Sequence, residues 1–145
     1  MIAIDTNLLV YAHRREPPEH ARAFELVRSF AEGPEPWAIA WPSIYEFFSV
    51  VTNPRIWKQA ASSPEQAWSQ ITTWMDAPGL RLLAETDGFG AVLAGFLRRP
   101  RVRGPVVHDA RIAAICVAHG VHKLFSRDRD FALFPELAVE DPLRG

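Results

Sequence analysis

A chain of 145 residues, 48% hydrophobic and 23% charged, has ordinary globular composition, which excludes a disordered or fibrous chain. It suits a single domain, residues 1–145, large enough to bury a core without disulfides or a structural metal. With a formal net charge of −1 there is no global basic field, so a polyanion would have to be held by a local patch or through metal ions.

The single cysteine, Cys116, lies in the apolar run IAAICVAHG and cannot form an internal disulfide. It reads as a small buried hydrophobe in a reducing, cytoplasmic setting. No basic leader precedes Asp5, and the longest apolar stretch, WAIAWPSIYEFFSVV, is broken by Pro42 and Glu46. Neither a signal peptide nor a membrane span is expected.

In chain order, residues 2–5 (IAID) predict a first strand, and PPEHARAFELVRSFAEG an amphipathic helix opened by Pro17 and Pro18 and closed by Gly33. PWAIAW predicts a second strand, leading through Pro42 and Ser43 into the helix SIYEFFSVV. SPEQAWSQITTWMDAPG opens with a Ser-Pro cap signal and repeats apolar residues at Trp68, Ile71 and Met75. LRLLAE predicts a third strand, and residues 87–98 a further helix. After an Arg- and Pro-rich link, HDARIAAICVAHG predicts a helix ended by Gly120, VHKLFS a fourth strand and LAVED a short fifth. Trp41, Trp57, Trp68 and Trp74 are expected to pack in the core. Strands alternating with helices imply crossover connections and a mainly parallel sheet covered on both faces. Functional groups in such sheets gather at the carboxyl ends of the strands. Asp5 stands at one of those ends.

Three more acids sit as awkwardly. Glu46 is the one charged residue between Trp41 and Val51, with no Lys or Arg three or four residues away to pair with it. Asp109 shares the stripe of Ile112 and Cys116, while Arg111 falls nearly opposite. In FSRDRDF, an extended segment would put Ser126, Asp128 and Asp130 on one side and Arg127 and Arg129 on the other. Each acid also has an ordinary structural reading. Asp5 suits a turn, Glu46 an exposed helix edge, Asp109 a first-turn dipole partner, and Asp128 and Asp130 a solvated turn or a cap on a short FALFPEL helix. Together, carboxylates at one sheet edge repel unless a cation compensates. An oxygen-only set without a Cys–His cluster suits Mg²⁺ or Mn²⁺ rather than zinc. Beside a phosphodiester, such ions activate water and stabilise the leaving oxygen.

IDTNLLVYA, WPSIYEFFSVVTNPRIW, VHDARIAA and FSRDRDF closely resemble the PIN domain, most of all the VapC toxin ribonucleases of VapBC toxin–antitoxin modules, and the likeness runs from Met1 to about Leu143. The resemblance implies a three-layer α/β/α fold with a parallel sheet of order 3-2-1-4-5. It carries the family's catalytic acids onto Asp5, Glu46, Asp109 and Asp128. Asp5 and Asp109 are then the most direct Mg²⁺ ligands, with Glu46 and Asp128 completing the pocket. Thr6, Asn7, Ser126 and Asp130 become supporting polar groups. Ser126 stands where the family often has Thr, and the hydroxyl survives. The implied activity is a Mg²⁺-dependent endoribonuclease, with tRNA a family-level substrate. The implied partners are a VapB-like antitoxin, whose basic side chain covers the acidic pocket, and a second copy forming a homodimer.

Arg98, Arg99, Arg101 and Arg103 in the link RRPRVR, with Arg14 and Arg15, are candidates for RNA phosphate contacts, although a solvated basic loop explains the link equally well. Two other classes compete. A Mg²⁺ phosphatase of the haloacid dehalogenase type wants D-x-D after its first strand, where this chain has Asn7, and a lysine that is hard to find with only Lys58 and Lys123. A non-catalytic, receiver-like phosphoacceptor domain expects paired acids after the first strand and a lysine near the last, and neither is obvious.

Overall fold

A computed structural model describes residues 1–144. Among them β1 (Ile2–Ile4), β2 (Trp37–Ala40), β3 (Leu80–Leu83), β4 (Lys123–Phe125) and β5 (Val139–Glu140) form one sheet of order 3-2-1-4-5. Every neighbouring pair is parallel, as the predicted alternation of strands and helices requires. The connections carry α1 (Thr6–His13), α2 (His20–Glu32), α3 (Trp41–Val51), α4 (Pro54–Trp57), α5 (Pro64–Met75), α6 (Phe89–Leu97) and α7 (Val106–Ala118).

Side chains alternate across an extended strand, so each strand feeds two cores. Ile4, Trp37 and Ile39 join one core with Leu8, Leu9, Phe47, Ile71 and Trp74, covered by α1, α2, α3 and α5. Phe47 and Trp74 meet edge to face there, 4.9 Å between centroids. Ala3, Ala38 and Ala40 share the other core with Ala110, Ala113 and Ala114 of α7. Small residues on both sides of that contact let α7 lie close against the sheet, as dense interior packing requires. Cys116 is fully buried in this core, where burial, helped by the charge of Asp5, pushes its thiol up to about 12.

Glycine is needed where α7 ends. Gly120 has φ +69°, and Val121 N–H donates to Cys116 O at 2.9 Å, closing the helix and turning the chain toward β4. Among the described residues, no helix is long and apolar enough to cross a membrane.

Some local expectations change. β1 stops at Ile4, and α1 begins at once with Asp5 in its N-cap position. The core stripe of α5 is Ala67, Ile71 and Trp74, not Trp68, Ile71 and Met75. Trp68, one position beyond Ala67, is therefore rotated outward and 52% exposed. Trp41 and Trp57 are half-buried. The short helix expected in FALFPEL is a 3-10 turn at Arg129–Leu133, capped by Asp128 rather than Asp130. The α4 turn was not legible; Asn53 caps it by accepting from Arg55 N–H at 2.9 Å, with Pro54 at its first position.

Candidate active site

The carboxyl edge of the sheet collects the predicted acids by simple geometry. Asp5 continues β1 in extended conformation (φ −84°, ψ 166°), and its N–H extends the ladder by donating to Phe125 O at 3.0 Å. Although it occupies the N-cap position, its side chain makes no capping bond to α1. Instead the carboxylate, only 4% exposed, accepts from Ser126 Oγ at 2.7 Å. Ser126 follows the neighbouring strand β4, so adjacency in the sheet creates this contact.

β2 passes directly into α3, whose second residue is Pro42, and Glu46 follows about one turn later. Its Oε2 accepts from Thr6 Oγ1 at 2.9 Å. Asp109 stands in the first turn of α7. Asp128 N–H donates to Ser126 Oγ at 3.0 Å, and Asp128 Oδ1 accepts from Asp130 N–H at 2.9 Å. Asn7 lies beside them, its Oδ1 a long 3.5 Å from Arg127 N–H.

Asp5, Glu46, Asp109 and Asp128, with Thr6 and Asn7, line one hollow of about 300 Å³ whose remaining wall is Val10, Tyr11 and Val50. Asp130 is exposed and does not line the hollow, but its carboxylate lies close to two acids that do. One carboxylate oxygen each from Asp109, Asp128 and Asp130 lies within 4.8 Å of the others, close enough to share a cation. Asp5 and Glu46 stand outside this group of three and face the same hollow.

No Lys or Arg lines the hollow to neutralise these acids. Burial, reinforced by Glu46 and Asp128, pushes the Asp5 carboxyl up to about 6 despite the opposing Ser126 hydroxyl and Thr6 amide. Asp109 rises to about 7, first through burial and then through Asp128, Asp5, Asp130 and Glu46. Crowded carboxylates in a half-dry hollow favour any divalent cation that relieves them. With no thiol or imidazole in the lining, the donor set fits hard Mg²⁺ or Mn²⁺.

The arginines singled out from sequence lie elsewhere. Arg99 pairs with Glu136, donates to Leu133 O at 2.7 Å and rests over the Phe96 ring, a structural arrangement. Arg103 donates to Pro100 O at 2.9 Å, and Arg98 and Arg101 are exposed; none of the four lines the acidic hollow. Arg14 is buried, paired with Glu16 at 2.6 Å, bonded to Ser62 Oγ at 3.1 Å and stacked on Trp57, while Arg15 is exposed. Arg111 pairs with Glu85 at 2.5 Å and does not line the acidic hollow.

A parallel α/β sheet with acids from four segments at its carboxyl edge is the class that fold and site define together. The chain belongs to the PIN-domain family, which residues 2–137 match. Ribonuclease VapC48 of Mycobacterium tuberculosis is 33% identical over 141 residues, 97% of each chain. Among solved structures, VapBC2 from Rickettsia felis bound to a promoter DNA fragment is similar at a TM-score of 0.64 and 21% identity, covering 97% of this chain and 98% of that one. VapC20 of Mycobacterium tuberculosis, described as a Sarcin-Ricin loop cleaving toxin, superposes at a TM-score of 0.66 and 17% identity, covering 91% and 93%. At such identities these structural likenesses show the shared fold.

Proposed function

We propose that this chain is a divalent-metal-dependent endoribonuclease and the toxin half of a type II toxin–antitoxin pair, acting in the cytoplasm. The observation that carries the reading is the convergence of Asp5, Glu46, Asp109 and Asp128 on one hollow with no basic side chain in its lining. Its relatives named as VapC ribonucleases support RNA as the substrate.

Asp109, Asp128 and Asp130 would hold a Mg²⁺ or Mn²⁺ ion, with Asp5 beside them. Such an ion would supply a Lewis acid that polarises the phosphodiester and lowers the pKa of the attacking water. Ser126 holds the Asp5 carboxylate in place, and Thr6 does the same for Glu46 through Oε2. Glu46 Oε1 is left to accept a proton from the attacking water, a role that needs hydrogen-bond reach. Val10, Tyr11 and Val50 supply the uncharged part of the wall beside the acids.

A VapB-like antitoxin is the proposed partner, inhibiting by placing a basic side chain among the acids. The likeness to the solved VapBC2 structure supports this pairing. A homodimer is proposed on the uncharged outer face of α6, where Gly90, Ala91, Ala94 and Gly95 are exposed. The deciding experiment incubates purified protein with RNA and Mg²⁺ or Mn²⁺. Cleavage by the wild type and its loss in Asp5→Ala is expected; an inert wild type, or an Asp5→Ala variant as active as its parent, overturns the reading. Phosphate release from small phosphoesters without RNA cleavage would favour the phosphatase alternative.

A further inference from the structure

Beside the acidic hollow lies a second one, of about 240 Å³, lined by Ser126, Arg127, Asp128, Arg129, Asp141 and Arg144. Ser126 shapes it through its place in the wall, and Asp128 lines both hollows, so a single side chain separates them. The alternation of the segment after β4 explains the pairing. Where the chain is extended, through Asp128 (φ −83°, ψ 116°), successive side chains leave on opposite sides. Ser126 and Asp128 turn toward Asp5 and Asp109, while Arg127 leaves toward Glu19 and Asp141. One strip of chain thus supplies an acidic wall on one side and a basic wall on the other.

The arginines of this second hollow are of two kinds. Arg127 is pinned, donating through NH1 to Glu19 at 2.8 Å and through Nε to Asp141 at 3.1 Å. Its charge is answered within the protein, and it gives the hollow a rigid back. Arg129 and Arg144 are exposed, and among the described residues neither has an acid within ion-pair distance. Guanidinium forks free of internal partners, beside a site of phosphodiester chemistry, suit one ligand class above others: a phosphate, which they bind bidentately.

We infer that this basic hollow is a phosphate subsite for the RNA strand, taking the phosphodiester adjacent to the one at the acidic hollow, with Arg129 and Arg144 as its contacts. The inference rests on the nuclease reading given above. It answers how a chain of net charge −1 holds a polyanion beside a cluster of acids. Steering comes from Arg129 and Arg144 next to the acids, and not from the link arginines, none of which lines either hollow. It also gives the strand a register, because a phosphate seated at Arg129 and Arg144 fixes which neighbouring phosphate faces Asp109.

The test measures binding apart from cleavage. A fluorescein-labelled single-stranded RNA is titrated with full-length wild type, the double variant Arg129→Ala/Arg144→Ala, and Arg129→Lys, with Mg²⁺ and again with EDTA, across a salt series. Circular dichroism establishes that the variants, altered at exposed positions, are folded. The double variant is expected to bind about tenfold more weakly, with the slope of log affinity against log salt reduced by about 0.7, the value for one phosphate on a single strand. Arg129→Lys keeps the charge and the salt slope while losing part of the affinity. In cleavage assays the double variant raises KM with little change in kcat. Unchanged affinity and salt slope in the double variant would overturn the subsite, as would variants that loosen a bound antitoxin and leave RNA affinity untouched. Altered RNA binding with a wild type that cleaves nothing would retain the subsite and remove the nuclease reading, so the two failures are told apart.

Discussion

Ser126 Oγ donates to the Asp5 carboxylate at 2.7 Å, although 121 positions of sequence separate the two residues. Both follow the carboxyl ends of neighbouring strands, and the parallel pairing of β1 with β4 makes the contact unavoidable. The bond opposes the effect of burial on Asp5 and fixes the direction of its carboxylate.

Ser126→Ala should therefore push the Asp5 carboxyl higher than its present value of about 6 and reduce RNA cleavage near neutral pH. A hydrogen bond to a charged group contributes roughly 1.5–3 kcal/mol, so a loss of about 10- to 100-fold is expected. Ser126→Thr, which keeps the hydroxyl, should retain most activity. A pH–rate profile of the three proteins measures this, and an alanine variant with the parent's profile would contradict it.

Stability should depend on pH with a sign set by two raised acids. Well below their unfolded value of 3.8, Asp5 and Asp109 are protonated in both the folded and the unfolded chain and contribute no difference. Between pH 4 and 7 the unfolded chain ionises first, because Asp5 and Asp109 in the fold hold their protons to about 6 and about 7. The metal-free protein therefore loses stability as pH rises through this window, and the loss levels off above it. Moving the buried Asp5 from 3.8 to about 6 corresponds to about 3 kcal/mol. Urea unfolding with EDTA at pH 5 and pH 8 reads about half of this, the part that falls between those two pH values, after the same comparison in Asp5→Asn is subtracted.

A cation that relieves this repulsion should stabilise the fold, and more so at pH 8 than at pH 5. Asp109→Asn removes one repelling charge, so the metal-free variant should melt higher than its parent at pH 8 while losing most of the Mg²⁺- or Mn²⁺-dependent rise in Tm. Calorimetry with and without the ion decides this. A variant whose Tm responds to the ion as the wild type's does would remove Asp109 from the ligand set.

Lys58, which directly follows α4 and opens a 3-10 turn over Lys58–Ala60, has φ 55° and ψ −128°, a conformation that favours glycine. Lys58→Gly should relieve that strain and raise stability by about 1 kcal/mol, less whatever entropy glycine adds to the unfolded chain. A lower midpoint in urea for the glycine variant would show that the backbone there is unstrained.

Much of the fold was legible because its signals are local. Strand runs alternated with helix periods, and Gly120 and Pro42 punctuated them where the structure does. The site was legible because a carboxylate in an apolar run, such as Glu46, has few ordinary explanations. The rest depended on neighbours distant in sequence. Trp68 and Ala67 are adjacent, and only packing against α3 decides which faces inward. Asp130 joins Asp109 and Asp128 because of the 3-10 turn, which an extended reading of FSRDRDF does not contain. Arg127 faces Glu19 and Asp141 because β5 and the start of α2 come alongside it, and no spacing along the chain records that.

The placement of β1 at the middle of the sheet has a consequence for the newborn protein. Asp5 is made well before its partners across the sheet, and the strand it follows is not flanked on both sides until Lys123–Phe125 has emerged. At roughly 5–20 residues per second, translation leaves that strand half-paired until the long stretch between β2 and β4 has been made. A nascent chain stalled short of residue 123 carries the leading acid without Ser126, Asp128 or Asp130, and so lacks the assembled centre. Whatever chemistry the centre performs is withheld until residues 126–130 have been added to the chain.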